Sequence, residues 1–138
     1  MAGDDLVDVE NIIFSSLAAD IEAAFPTAFV TGEKVHAPSS FPCVSIVETD
    51  NSTHAQTLDS SGIEKHSNLT YEVEVYSNLA AGRKAQCRAI AIFVDGKFMK
   101  MGFTRSFLSP VGNISPAIAR YVGRYSAVMG RDLVTYRR

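Results

Sequence analysis

The stretch LTYEVEVYS, residues 69–77, decides the fold. Its side chains alternate between two faces: Leu69, Tyr71, Val73 and Val75 share one, and Thr70, Glu72, Glu74 and Tyr76 share the other. A period of two is typical of a half-buried β-strand. The pattern therefore predicts a strand with one face in the core and one face in contact with solvent.

Two helices are predicted on either side of this strand. Apolar residues recur at helical spacing over residues 8–25, and Pro26 ends that helix. A second helix is predicted over residues 80–101, with Gly102 just past its end. A glycine inside this second pattern leaves two alternatives open, an unbroken helix and a helix with a break near Asp95.

The other apolar segments predict strands over residues 43–48, 103–108, 118–129 and 133–136. Residues 28–31 give a short extended piece, and residues 32–42 a loop. Helices and strands in the order αββαβββ pack as two helices on one face of a mainly antiparallel sheet. We therefore expect one domain, residues 1–138, with an α+β fold that is a two-layer sandwich.

One connection is unusually long and polar. Residues 50–66, DNSTHAQTLDSSGIEKH, join two predicted strands. Such a connection in a compact domain is usually functional or mobile. The pattern predicts a long polar β-hairpin arm, whose candidates for a protein interface are Asp50, His54, Asp59 and Glu64.

Charge is divided unevenly along the chain. Residues 1–69 carry two basic and eleven acidic residues, a net charge of −9, and residues 70–138 carry eleven basic and four acidic, a net charge of +7. The two halves either neutralise each other across the fold or leave a polar molecule whose acidic face meets the basic face of the next copy. The sequence leaves both interpretations open.

No motif for catalysis, a cofactor or a metal is recognisable. His36, His54 and His66 fall in predicted loops, far apart and far from either cysteine. Cys43 and Cys87 lie inside apolar segments, where a buried free thiol is the better interpretation. Phosphate-binding loops, nucleophile elbows and zinc-binding helix motifs are all missing. We therefore expect no catalytic residue, no cofactor and no metal.

Membrane insertion is not expected either. The chain has no run near the roughly 20 apolar residues that would span a bilayer, and its N-terminus, MAGDDLVDVE, is acidic. We expect a protein that folds in a cytoplasm.

Basic side chains gather near the C-terminal strands. Arg120 and Arg124 share one face by the period of two, and Arg105 and Arg131 lie nearby. Nucleic acid is not expected as the main partner, because the pI is about 5.9 and no stacking motif is present. Two alternatives are preferred and stay open, an acidic protein partner and a solvated face. These arginines join Glu72 and Glu74 as candidates for a protein interface.

Four features together carry a family resemblance. They are a first helix closed by Phe25-Pro26, the strand 71–76 leading directly into a helix, Gly102-Phe103 opening a strand, and the ending 120–125 with Tyr136-Arg137. With these, nearly the full chain resembles the tail terminator, or tail completion, proteins of long-tailed bacteriophages.

The resemblance implies a small α+β subunit that closes into a hexameric ring on the end of the tail tube. There the ring stops tube growth and offers a docking face for the head. The implied partners are further copies, the tail tube protein and a head-completion or connector protein, with DNA passing only incidentally through the lumen. The implied location is the tail–neck junction of the virion, after assembly in the bacterial host cytoplasm.

Two other functions stay open. One is a head–tail connector, or head-closure (neck) protein, that binds the portal or an adaptor ring. The other is a small-molecule-binding or enzymatic domain with a site under the polar loop, although no titratable cluster supports it. For the tail terminator, Arg105, Arg120 and Arg124 would join subunits or face the tube, and the arm would reach a neighbour or the lumen.

Overall fold

The computed structural model of the chain describes residues 10–35, 37–53, 66–112 and 115–130. Its elements are α1 (Glu10–Ala24), β1 (Phe29–Thr31), β2 (Cys43–Thr53), β3 (His66–Ser77), α2 (Arg83–Lys100), β4 (Thr104–Pro110) and β5 (Ala119–Gly130). One five-stranded sheet has the order β1-β2-β3-β5-β4. Among the described strands, β1–β2 is the one parallel pair. The predicted α+β sandwich with a mainly antiparallel sheet is confirmed.

The alternating stretch forms the central strand, β3. It pairs on one side with β2 and on the other with β5. Leu69, Tyr71, Val73 and Val75 are all buried, so the predicted core face is confirmed. A strand with a neighbour on each side satisfies its backbone groups through both ladders, which suits its place at the middle of the fold.

Both helices cover this core face. The buried side chains of α1 are Ile13, Leu17 and Ile21, and those of α2 are Cys87, Ile90, Ala91, Val94 and Phe98. All of them join one hydrophobic cluster with the core residues of β2 and β3. Neither described helix is long and apolar enough to cross a membrane. Burial of Cys43 and Cys87 as free thiols is confirmed.

Helix α2 begins later than predicted and does not break. Gly82 caps its N-terminus with φ of 92°, a left-handed conformation that glycine adopts without steric cost. Beyond it the helix runs through Asp95 and Gly96 to Lys100. A helical glycine costs about 1 kcal/mol, while full burial of an apolar side chain such as Phe98 contributes about 1.5–3 kcal/mol. The free energy gained by burying the apolar side chains of α2 therefore outweighs the low helix propensity of Gly96.

Two sequence predictions need correction. Residues 29–31 are a true strand, β1, which pairs with β2 from Phe29 opposite Cys43 to Thr31 opposite Ser45. The strands predicted over 43–48 and 69–77 are longer than predicted, because β2 continues to Thr53 and β3 starts at His66. The two strands pair as a hairpin as far as Thr53 opposite Ser67. There the ladder rests on backbone hydrogen bonds, so polar side chains do not end it. Residues 54–65 and the strand predicted over 133–136 lie outside the described residues.

The sheet face opposite the helices, here called the helix-free face, is partly covered by the loop that joins β1 to β2. The Ser45 hydroxyl donates to the Glu33 carbonyl at 2.8 Å, and the Tyr76 hydroxyl lies 2.9 Å from the Val35 carbonyl. Under this cover Glu74 and Tyr76 are only 2% and 3% exposed. Their predicted contact with solvent is wrong, because a segment more than thirty residues earlier in the chain shields them.

Candidate functional site: a buried charge cluster between two charged flanks

A cluster of charged side chains is centred on Glu74 of β3. The Glu74 carboxylate accepts a hydrogen bond from Nε of Arg120 at 2.9 Å and a second, short one from the same guanidinium. The Tyr76 hydroxyl lies 2.8 Å from the same carboxylate oxygen. Arg120 reaches it because β5 places Arg120 opposite Tyr76, two residues along from Glu74. Lys34 of the covering loop stands 4.0 Å from the other oxygen.

Burial and charge set the protonation states in this cluster. Burial raises the pKa of Tyr76 to about 12, helped by the hydrogen bond and the charge of Glu74. Burial lowers the pKa of Arg120, but the hydrogen bonds and charge of Glu74 outweigh it, so the pKa lies above its ordinary value. Burial, and then the charge of Glu74, raise the pKa of the Cys43 thiol. At neutral pH these groups hold their protons, which suits a structural role better than proton transfer.

A second ion pair lies beside the first on the same face. Glu72 accepts from Arg124 at 3.3 Å and stands 3.6 Å from the Lys34 ammonium. The Arg124 guanidinium also lies over the Phe107 ring, 5.7 Å from its centroid. About half of the Arg124 side chain is exposed, and such pairs contribute about 0–1 kcal/mol. Glu72 and Arg124 thus remain largely a surface feature.

On the helix side of the sheet, Asp95 of α2 binds two side chains of neighbouring strands. Its carboxylate accepts hydrogen bonds from the Tyr125 hydroxyl at 2.8 Å and from Arg105 at 2.9 Å. Burial raises the pKa of Tyr125, and the hydrogen bond and charge of Asp95 raise it further. Arg105, Arg120 and Arg124 therefore each pair with a carboxylate of their own chain, which the sequence did not reveal.

Some of the predicted interface residues lie in the described part of the chain, and others lie outside it. The strand register brings Glu72, Glu74, Arg120 and Arg124 together on one face. Asp50 is exposed near the end of β2, where it accepts from the Ser52 hydroxyl at 3.3 Å. Arg131, His54, Asp59 and Glu64 lie outside the described part of the chain. A role for these residues in a protein interface stays a prediction.

Strand order separates the charges of the molecule. We define the acidic flank as α1, β1, the loop 32–42 and β2, and the basic flank as α2, β5 and β4, with β3 between them. Exposed acids of the acidic flank are Glu10, Glu22, Glu33 and Asp50; exposed bases of the basic flank are Lys84, Arg88, Lys100, Arg105 and Arg124. Among the described residues, the pair Asp20–Lys97, at 3.4 Å, joins an acid of one flank to a base of the other. Lys34 is an exposed base within the acidic flank, and Asp95 is an acid within the basic flank. The other described charges of the two flanks stay segregated.

Each flank ends in an edge of the sheet with no partner strand among the described residues. β1 is the edge of the acidic flank and β4 the edge of the basic flank. Each carries an exposed aromatic side chain, Phe29 at 49% and Phe107 at 38%. No local pattern in the sequence indicates these edges, because they depend on the order of the strands in the sheet.

A groove of about 530 Å³ opens at the N-terminus of α2. It is lined in part by Arg83, Lys84, Val111 and Arg120. Arg83 already donates to the Pro116 carbonyl at 3.1 Å, and the described residues of the lining include no carboxylate, histidine or thiol. Those residues therefore provide no acid–base pair. Among the residues that the structure describes, no group of three or more His, Cys, Asp or Glu could hold a metal ion.

No protein-family model and no curated protein matches the chain.

Proposed function

We propose that this chain is a tail terminator, a structural subunit that forms a ring on the end of a phage tail tube. In the family that the sequence resembles, the ring has six copies, stops tube polymerisation and provides the docking face for the head. One observation carries the proposal: opposite charges are segregated onto the two flanks of a sheet whose edges are both open.

Segregated charge favours a ring over a two-fold dimer in which one flank meets itself. In a ring, each copy meets the next through two different surfaces, so an acidic flank can face a basic one. If one flank met the same flank of a second copy, like charges would be juxtaposed, which disfavours that contact. The small α+β fold is the one that the resemblance implies for such a subunit.

The β2–β3 hairpin supports the predicted arm over residues 50–66, which in the proposed ring would reach a neighbouring copy or the lumen. Its ladder extends to Thr53 opposite Ser67, well beyond the strand lengths that the apolar pattern predicts. Residues 54–65 follow directly from this pair. We expect deletion of residues 52–62 to leave a folded subunit that fails to cap tubes, and normal tail lengths with this deletion would contradict the role of the arm.

The test of the function is electron microscopy of tails assembled with and without this protein, with tube length scored. A terminator gives uniform tubes when present and overlong tubes when absent. Tubes of unchanged length that fail to join heads would overturn termination and indicate the connector function. No effect on length or joining would overturn both.

A further inference from the structure

We propose that neighbouring copies associate edge to edge, with β4 of one copy pairing with β1 of the next. The sheet would then continue from the basic flank of one subunit into the acidic flank of its neighbour. This inference rests on the proposed function for the existence of a ring, and it adds which surfaces form the contact.

Strand direction permits the pairing. β1 runs parallel to β2, and each following neighbour in the order β2-β3-β5-β4 reverses direction. β4 therefore runs opposite to β1. In two copies with the same orientation, β4 and the neighbouring β1 would form an antiparallel pair, the commoner kind of ladder.

The strand lengths also fit. The ladder between β4 and β5 shifts register between Arg105 and Phe107, which marks a bulge. After it, four residues, Phe107–Pro110, pair regularly with β5. Pro110 has no backbone N–H to donate, so the first three residues match the three of β1, Phe29–Thr31. An added strand in this position would satisfy backbone groups that face outward from both edges.

Exposed aromatic side chains lie at both edges on the same face. Phe107 belongs to the helix-free face, because it is paired with Arg124 and lies under that guanidinium. Val30 packs against the core, so Phe29, its neighbour along β1, points to the helix-free face. A continuous sheet would bring Phe29 and Phe107 of adjacent copies together, and such cross-strand aromatic pairs are favourable.

The basic charges lie where this contact needs them. Arg105 belongs to β4 and binds Asp95 of α2. Arg88 precedes Asp95 by two helical turns, so it lies on the same, β4-facing side of α2. Lys84 lines the groove beside Pro110 at the end of β4. A row of exposed basic residues therefore follows the β4 edge.

The acidic charges lie along the opposite edge. Glu33 lies two residues after the end of β1, and with Glu10 it lines a small groove of about 240 Å³. Phe14 lines the same groove and faces Gly32, so this side of α1 is the side next to β1. Glu22 is exposed near the C-terminal end of the same helix. Opposite rows of charge across an interface steer association and fix its orientation.

Charge-reversal variants and their mixture test the contact by sedimentation velocity over a range of protein concentrations and ionic strengths. The basic-flank variant is Lys84→Glu/Arg88→Glu, and the acidic-flank variant is Glu22→Lys/Glu33→Lys. These four side chains are exposed and make no hydrogen bond or ion pair with described residues, so folding should be preserved. Lys100→Glu is the control, because Lys100 comes five residues after Asp95 and therefore lies on a different side of α2 from Arg88.

We expect the wild-type chain to self-associate at low ionic strength and to dissociate as salt screens the charges. Each double variant alone should associate roughly tenfold more weakly or worse. Their equimolar mixture should recover association, because reversed flanks complement each other again. Lys100→Glu should behave as the wild type.

Apolar variants distinguish the edges from other parts of the flanks. Phe107→Ser and Phe29→Ser should each weaken association, whereas Leu79→Ser, which removes an equally exposed side chain outside both edges, should not. The proposal is overturned if the wild type never self-associates, if the double variants associate normally, if mixing fails to restore association, or if the edge variants match the Leu79 control.

Tube-length measurements separate this inference from the proposed function. If the double variants lose association but the protein has no effect on tube length, the edge-to-edge contact is supported and tail termination is rejected. If tube length depends on the protein but the double variants still associate, tail termination is supported and the edge-to-edge contact is rejected.

Discussion

The ring of Tyr125 lies parallel to the ring of Phe98, with centroids 4.5 Å apart, and the Tyr125 hydroxyl donates to Asp95 at 2.8 Å. One side chain of β5 thus meets α2 twice, through stacking inside the core and through a hydrogen bond at its rim. Because Asp95 also binds Arg105, the same carboxylate links α2 to β4. The position of α2 on the basic flank depends on these contacts.

Replacing Tyr125 by Phe should lower the free energy of unfolding by about 1.5 kcal/mol, since a hydrogen bond to a charged acceptor is lost while the ring stays. Urea unfolding at neutral pH measures the change. Tyr121→Phe is the control, because Tyr121 is a buried tyrosine of the same strand whose hydroxyl makes no hydrogen bond with described residues. Equal effects of the two substitutions would contradict the role given to the Asp95 bond.

Gly123→Ala should destabilise the fold by about 1–3 kcal/mol, the usual cost of overpacking. An added Cβ would lie 3.0 Å from Leu108 Cδ1 and 3.1 Å from Tyr125 Cε2. Leu108 is able to turn away, but the Tyr125 ring is held by Phe98. Thermal or urea unfolding gives the change.

The matched control is Gly96→Ala in the exposed part of α2, where an added Cβ meets nothing within 4 Å. This substitution should stabilise the protein by about 0.5–1 kcal/mol, because alanine favours the helix. If Gly96→Ala and Gly123→Ala changed the free energy of unfolding by similar amounts, backbone propensity and not the space beside Tyr125 would explain both effects.

Local periodicity was enough to predict the helices, the central strand and its core face. The alternation over residues 69–77 and the helical spacing over 8–25 are signals that each segment carries by itself. Predictions failed where a distant segment intervened. Glu74 and Tyr76 share the predicted polar face, yet the loop 32–42 buries them. No pattern within β3 announces that cover.

The sequence predicted which residues belong to the candidate site, but not how they pair with one another. Period-two spacing correctly grouped Arg120 with Arg124, and Glu72 with Glu74. Pairing the two groups required the register between β3 and β5, which the sequence does not specify. The separation of charge into flanks likewise depends on the strand order, because β4 lies beyond β5 and not beside β3.

Glu74→Gln should lower the free energy of unfolding by about 3 kcal/mol. It leaves the partly buried Arg120 guanidinium without its counter-charge, and breaking a buried pair costs about 3–5 kcal/mol. Because a quarter of the Arg120 side chain is exposed, we expect the low end of this range. Urea unfolding at neutral pH measures the loss.

Glu72→Gln provides the comparison for this buried pair. Its partner Arg124 is about half exposed, so the cost should stay below about 1 kcal/mol. Amide hydrogen exchange should also speed up in the loop 32–42 with Glu74→Gln but not with Glu72→Gln. Equal losses for the two variants would mean that burial under the loop adds nothing to the Glu74–Arg120 pair.

Alkaline pH should destabilise the protein through Cys87 and Tyr76. Burial raises the pKa of the Cys87 thiol from 9.0 to about 12 and the pKa of Tyr76 from 10.0 to about 12. The folded state therefore keeps protons that the unfolded state releases. Stability from these groups is complete below pH 9 and is lost as the pH rises to about 12, because the unfolded state then binds fewer protons.

Urea midpoints measured from pH 8 to pH 12 test this sign. We expect a plateau followed by a continuous fall that begins near the ordinary pKa of the thiol. In Cys87→Ala, overall stability drops because the side chain is buried, but the decline between pH 9 and pH 12 should be shallower. An unchanged decline in that variant would show that Cys87 does not contribute to the alkaline loss, and a midpoint that rises with pH would contradict both assignments.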